Sequence, residues 1–299
     1  MGKYFTLTYK RIMKFLLTTL VALGSIGAGW CASTIDAANR FAYGANIGWM
    51  DWSGDINNGA VIGEYVCSGY IYAANVGWIN LGNGAPTNGI YYQNVSGNDF
   101  GVNNDGFGNL RGYAYGANIG WINFENTGAP KFDLKTGKLS GYVYSANCGW
   151  ISLSNASAVV QTDRVAPGAD SDGDGIADAW ELQHFGNLTT ANATSNADGD
   201  PATDRQEYLA GTNPLDATSY LRITAYATAP MGATNLLTWT SELTRLYRVQ
   251  ESLSLSPTAW YDRSLGLTAP DGAFTTRNVT DTNAPIRFYR VQAVRPLSP

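Results

Sequence analysis

The chain of 299 residues is too long for one small core and suits two or three modules. Its net charge of −5 is uneven, with residues 1–33 contributing +4, 34–162 −3, 163–216 −9 and 217–299 +3. There is no basic stripe for DNA or RNA, and one histidine with three cysteines argues against a His-rich metal site, a zinc ribbon or a disulfide-dense scaffold.

In chain order, the apolar run Phe15–Ile26 follows Lys3, Lys10, Arg11 and Lys14 and precedes small residues. This layout is that of a secretory signal, and the run is too short to span a bilayer with any margin. Residues 1–33 are therefore expected to be a signal peptide, with Met13 as an alternative start and Trp30 arguing against lipid anchoring at Cys31. Small residues at 27–29 and 31–33 place the mature N-terminus between Trp30 and Ala38. No later run is apolar enough to span a membrane, so the mature chain is expected to be secreted, extracellular or at the cell surface.

Residues 34–162 contain a fourfold internal repeat. Phe41–Trp52 reads FAYGANIGWMDW, Gly69–Leu81 GYIYAANVGWINL, Gly112–Phe124 GYAYGANIGWINF and Gly141–Leu153 GYVYSANCGWISL. Trp49, Trp78, Trp121 and Trp150 are spaced 29, 43 and 29 apart, so a 72-residue unit of two hairpins has been duplicated. Tyr-x-Tyr alternates as on one strand face, Ala-Asn-x-Gly supplies a tight turn, and Trp opens the return strand. Lys131–Leu134 followed by Thr136-Gly137 predicts a further strand and turn. The ten Tyr and five Trp of this region are expected to form a repeated buried aromatic core, with a sugar-stacking surface as the alternative. The shared Asn is expected to be a turn residue. These stretches resemble Gly-Trp-Ile repeats of uncharacterised secreted bacterial proteins, a resemblance that implies no activity. Cys67 and Cys148 are expected either to bridge the two units or to remain separate buried thiols.

Within the acidic island, Asp170, Asp172, Asp174, Asp178 and Glu181 occupy positions 1, 3, 5, 9 and 12 of a 12-residue loop. Gly175 is at position 6, and Ile176 offers its carbonyl from position 7. Alternate oxygens aimed inward around a sharp bend, closed by a bidentate Glu, are calcium-loop chemistry. The pattern returns as Asn196, Asp198, Asp200, Ala202 (carbonyl), Asp204 and Glu207, with Pro201 at position 6. Two Ca²⁺ sites are predicted, the second weaker or irregular because proline cannot take positive φ. Short helices are predicted over 178–185 and 204–210, ending at Gly186 and Gly211, with Leu182 packed on Tyr208. The segment resembles thrombospondin type 3 repeats and related EF-hand-like segments of secreted bacterial proteins, including Gly-Thr-Asn-Pro at 211–214, and dockerins share the paired loop–helix plan.

From Tyr220 the chain alternates in short runs at 220–227, 235–241, 245–252, 273–280 and 287–294, as in a small β-sandwich. Trp239 and Tyr289 resemble core residues of fibronectin type III domains. Arg245, Arg248, Arg287 and Arg290 are expected on solvated faces or against the acidic island.

The expected fold class is mainly β: a signal peptide over 1–33, an antiparallel β-repeat domain over 34–162, an EF-hand-like calcium segment over 163–218 and a β-sandwich over 219–299. Catalysis needs a convergent set of groups. His184, on a predicted helix, and the pairs Asp51/Asp55 and Asp99/Asp105, in loops, supply none, so no enzyme is expected, a glycosidase being the residual alternative. The reading is a secreted modular calcium-binding structural or adhesive protein, the ion rigidifying the linker between two β domains. The alternatives are a carbohydrate-binding protein using exposed aromatics and a dockerin-like assembly component. The expected partner is a cell-surface or extracellular polysaccharide or protein, with no nucleic acid and no membrane span.

Overall fold

Each sequence repeat closes into a β-hairpin because its Asn-x-Gly turn ends in a glycine with positive φ: Gly48 (79°), Gly77 (80°), Gly120 (71°) and Gly149 (76°). The computed structural model describes residues 33–54, 57–228, 234–254, 259–262, 265–280 and 288–298. The expected signal peptide lies outside these residues except for Ser33. In chain order the first strands are β1 (Ile35–Gly44), β2 (Gly48–Asp51), β3 (Ser68–Ala73), β4 (Gly77–Asn83), β5 (Val102–Asn104) and β6 (Leu110–Gly116). They continue as β7 (Gly120–Asn123), β8 (Lys131–Phe132), β9 (Leu139–Ser140), β10 (Tyr142–Ser145), β11 (Gly149–Ser152) and β12 (Val160–Thr162). Antiparallel pairing runs β1-β2-β3-β4-β6-β7-β10-β11, and β11 returns to β1 through Tyr43↔Ser152 and Gly44↔Ile151. The four hairpins therefore form a closed, eight-stranded antiparallel barrel.

The interior overturns the expected aromatic core. Tyr-x-Tyr and the Trp opposite it project outward, and Trp49, Trp78, Trp121 and Trp150 remain 44–49% exposed. The inside is filled instead by the residues between them. Ile47, Val76, Ile119 and Cys148 close the turn end, Met50, Ile79, Ile122 and Ile151 form the middle, and Trp52, Leu81, Phe124 and Leu153 close the other end. An eight-stranded barrel is only wide enough for side chains to fill it, so aliphatic and small residues suit the interior better than twelve aromatic rings.

Volume complementarity also explains why the unit of duplication is two hairpins. Repeats one and three place Gly44 and Gly116 beside Ile47 and Ile119, where a Cβ would come within 2.8 and 2.9 Å of the isoleucine Cγ1. Repeats two and four carry Ala73 and Ser145 at that position and the smaller Val76 and Cys148 in the turn. Likewise Ala42 and Ala114 accompany the aromatic end-plugs Trp52 and Phe124, whereas Ile71 and Val143 accompany Leu81 and Leu153. Small and large alternate around the ring so that each layer fills.

The repeated asparagine does more than turn the chain. Asn75 Nδ2 donates to the Ile47 carbonyl (3.0 Å), Asn118 to Val76 (3.1 Å), Asn147 to Ile119 (3.0 Å) and Asn46 to Cys148 (3.0 Å). Each turn is thus latched to the preceding one, and the fourth latch closes the circle. Cys67 and Cys148 are separate buried free thiols, so no disulfide links the two units. Burial pushes the Cys67 thiol up to about 12.

The two predicted helices form as α1 (Asp178–Phe185) and α2 (Asp204–Ala210), each ended by a left-handed glycine, Gly186 and Gly211. Thr203 and Gln206 cap α2 reciprocally. The predicted Leu182–Tyr208 contact is replaced: Trp180 meets Tyr208 at 5.8 Å, in a small core with Ile176 and Ala191, while Leu182 abuts Gly89. The remaining strands are β13 (Ile223–Thr228), β14 (Thr234–Thr240), β15 (Leu246–Ser252), β16 (Tyr261–Asp262), β17 (Phe274–Thr280) and β18 (Phe288–Val294). They form two sheets, β13-β14-β17 and β16-β15-β18, whose shared core contains Trp239, Tyr247, Val249 and Tyr289.

The inverted barrel wall makes a stability prediction. Ile122→Ala should cost about 2–5 kcal/mol, Asn118→Ala about 1 kcal/mol, and Trp121→Ala, which loses cross-strand ring contacts, also about 1 kcal/mol. Urea unfolding of the three variants checks this order; a Trp121 cost exceeding that of Ile122 would return the aromatic rings to the core.

Candidate metal centre

The first acidic loop curls because its carboxylates accept from its own backbone. Asp170 accepts from Gly173 N–H (2.8 Å) and Gly175 N–H (3.0 Å), and Asp174 from Ile176 N–H (2.8 Å). Gly173 and Gly175 have φ of 77° and 88°, which a side chain would resist. The result brings carboxylate oxygens of Asp170, Asp172 and Asp174 within 4.8 Å of one another. Glu181, on the first turn of α1, is fully buried. Both its oxygens and Asp174 Oδ2 are buried with no hydrogen-bond partner.

The second loop repeats this with Asn196 in place of Asp170 and Pro201 in place of Gly175. Asn196 Oδ1 accepts from Gly199 N–H (2.7 Å), but no N–H exists at Pro201 to supply the second bond, and Asn196 Nδ2 donates instead to the Asp200 carbonyl (2.6 Å). Asp198, Asp200 and Glu207 gather within 4.8 Å of one another. Asp198 Oδ2, Asp200 Oδ2 and Glu207 Oε2 are buried and unpartnered, while Glu207 Oε1 accepts from Thr212 Oγ1 (3.2 Å).

The position-9 residues lie outside these clusters. Asp178 accepts from Ser171 N–H (2.7 Å) and Oγ (2.5 Å), and Asp204 from Ala197 N–H (2.9 Å) and Ser195 Oγ (2.5 Å), so both hold the loops closed. At position 7, Ile176 buries its side chain in the core beneath the loops and Ala202 is half-buried.

Several residues were not singled out by spacing. Arg205 of the second loop lies against the first, 2.8 Å from where a Gly175 Cβ would be, and its charge offsets only part of the rise in Asp174 proton affinity that burial and the charges of Asp172 and Asp170 cause. Thr212 was visible only as part of Gly-Thr-Asn-Pro. Glu64 and Tyr65 of the barrel, which reach this segment, carry no sequence signal at all.

Buried carboxylate oxygens crowded without donors are unfavourable unless protonated or bound to a cation. Burial, then the charges of Asp174 and Asp172, pushes Glu181 up to about 7. Burial with Asp198 and Asp200 does the same to Glu207, also to about 7. The all-oxygen donor set fits a hard divalent cation.

Comparison with known proteins agrees at this segment. A family model described as Bacterial TSP3 repeat matches residues 170–186 and 198–217, the two loop–helix units. No curated protein and no solved structure matches the chain. No helix among the described residues is long and apolar enough to cross a membrane.

Both glutamates have folded proton affinities raised above the ordinary 4.5. Below about pH 4.5 the metal-free protein keeps the full stability associated with their protonated forms, and it loses that stability as pH rises through about 7. The melting temperature without divalent ions should therefore fall over this window, and millimolar calcium should reverse the fall at its upper end. Melting curves with EDTA and with calcium test this; a flat metal-free profile would disprove the buried-carboxylate assignment.

Proposed function

We propose that this is a secreted, modular calcium-binding protein of structural or adhesive type, holding two Ca²⁺ ions in the acidic segment. The observation that carries the reading is the set of buried, partnerless oxygens on Asp174, Glu181, Asp198, Asp200 and Glu207. Asp170, Asp172, Asp174, the Ile176 carbonyl and Glu181 would hold the first ion. Asn196, Asp198, Asp200, the Ala202 carbonyl and Glu207 would hold the second, and Asp178 and Asp204 would act through the loop or through water. The second site is expected to be the weaker, since Asn196 is uncharged and Pro201 removes a loop donor.

The geometry around α2 suggests what the ions would stabilise. Tyr208, next to Glu207, donates its hydroxyl to Glu64 of the barrel (2.8 Å), which also pairs with Arg295 (3.1 Å) after β18. Arg245 donates to the Tyr208 (2.7 Å) and Leu209 (2.9 Å) carbonyls at the end of α2. The acidic segment is thus wedged against both β parts, and ions that fold it would fix all three together. Supporting a non-catalytic reading, His184 packs at a tilt against Trp180, ring centroids 4.7 Å apart, and Asp105 accepts from Phe107 and Asn109 N–H in its own loop. The dockerin-like alternative has less support, because Tyr65, Glu64 and Arg245 cover the sides of the helices near Tyr208.

Calorimetry on the full chain should show two calcium sites with dissociation constants of roughly 10⁻⁴–10⁻³ M, as in extracellular modules. One site at a hundredfold excess over its dissociation constant adds about 2.7 kcal/mol of stability. Asp174→Ala should remove the first site, and Pro201→Gly should strengthen the second. Absence of calcium heat, with unchanged helical circular dichroism in EDTA, would reduce the segment to an acidic wedge.

A further inference from the structure

The outer wall of the barrel carries four equivalent aromatic panels that the calcium reading leaves without a role. In each, a tryptophan lies between two rings of the partner strand: Tyr72–Trp78 and Tyr115–Trp121 are 4.9 Å apart, Tyr144–Trp150 5.0 Å and Tyr43–Trp49 5.3 Å. The outer ring of each panel, Phe41, Tyr70, Tyr113 or Tyr142, is 6.0–6.3 Å from its tryptophan. Four panels of half-exposed rings spaced around one wall exceed the scattered apolar residues of an ordinary surface. Between panels, the residue opposite the inner Tyr is always polar: Asp51, Asn80, Asn123 or Ser152. The Asn80 and Asn123 oxygens accept from Gly82 and Glu125 N–H, leaving their NH₂ groups as donors.

One panel is elaborated. The longer 43-residue spacing between the second and third tryptophans reflects an inserted loop, and that loop places Phe100 at 5.1 Å from Trp121. A cleft of about 370 Å³ results, lined by Asn94, Val95, Ser96, Gly97, Phe100, Tyr113 and Trp121. Its loop is held in shape from below. Buried Asp99 accepts from Thr87 Oγ1 (2.8 Å) and Gln93 N–H (3.2 Å), and Asn94 Oδ1 accepts from Gly101 N–H (3.0 Å). Aromatic faces, one aliphatic side chain, amide and hydroxyl groups, and no side chain charged at neutral pH in the lining describe a site for an uncharged molecule with one apolar and one hydroxylated aspect.

We propose that this cleft binds a neutral polysaccharide, a pyranose ring stacking in the cleft by Trp121 while the other panels engage further sugars of the same chain. Adjacent panels are two strands apart, about 10 Å around the wall, so successive contacts along one extended glycan add avidity. A bilayer fits less well, since strands of four residues such as β2, β7, β10 and β11 are far shorter than the roughly 9–11 residues of a membrane-spanning strand. The proposal gives the adhesive part of the reading above its ligand class and does not depend on the metal.

The test is affinity electrophoresis of the full chain, with calcium, through gels containing xylan, mixed-linkage β-glucan, galactomannan or hydroxyethylcellulose. At least one should retard the protein, and Trp121→Ala should weaken that retardation about tenfold, as loss of a binding hot spot does. Trp150→Ala, on a panel without the inserted loop, should have a smaller effect. If Trp121→Ala fails to fold, Phe100→Ala carries the same test. No retardation by any of the four polymers, retardation unchanged by these variants, or co-sedimentation with phosphatidylcholine–phosphatidylglycerol vesicles in its place would overturn the proposal. Calorimetric calcium binding without glycan retardation sinks this inference alone; retardation without calcium heat sinks the metal reading alone.

Discussion

Everything in the N-terminal half depends on closing four hairpins into a ring whose interior is no wider than its side chains. Closure through β1 and β11 leaves no free strand edge in the barrel and forces a choice at every hairpin about which face turns inward. The Ile, Val, Ala and Gly face fits the ring, so the Tyr and Trp face is left outside. The asparagine latches reinforce this arrangement at one end, each satisfying a carbonyl of the neighbouring turn. A wall dense in aromatic rings is thus a consequence of interior volume.

The acidic segment is governed by a different constraint. It contains little apolar surface beyond Ile176, Trp180, Ala191 and Tyr208, and it concentrates carboxylates that repel one another. Its own loop hydrogen bonds shape the carboxylates but leave several buried oxygens without donors. A divalent cation would supply what the chain does not. Because Tyr208 and Arg245 tie α2 to Glu64 and to the sheet carrying β15, folding of this segment and seating of the C-terminal part are mechanically joined. The C-terminal tail contributes as well: the Leu297 carbonyl accepts from Val165 N–H (3.1 Å) at the end of the barrel chain.

Local patterns were legible where a backbone requirement is local. The 12-residue spacing of acids, the position-6 glycine or proline, the two helices and their glycine stops, the Asn-x-Gly turns and most C-terminal strands follow from φ preferences and hydrogen bonds within a few residues. The sequence by itself also determined that four hairpins repeat and pair as a 72-residue duplication. Which face of each hairpin is buried was decided only by the tertiary structure. A period of two divides residues into two faces but does not name the inner one, and only ring closure sets the volume available inside. For the same reason Leu182 gave way to Trp180 beneath the acidic loops, and Glu64, Tyr65, Arg245 and Arg295, distant in sequence, met around Tyr208. Contacts of that range depend on how separate elements come to rest against one another, and no spacing along the chain encodes them.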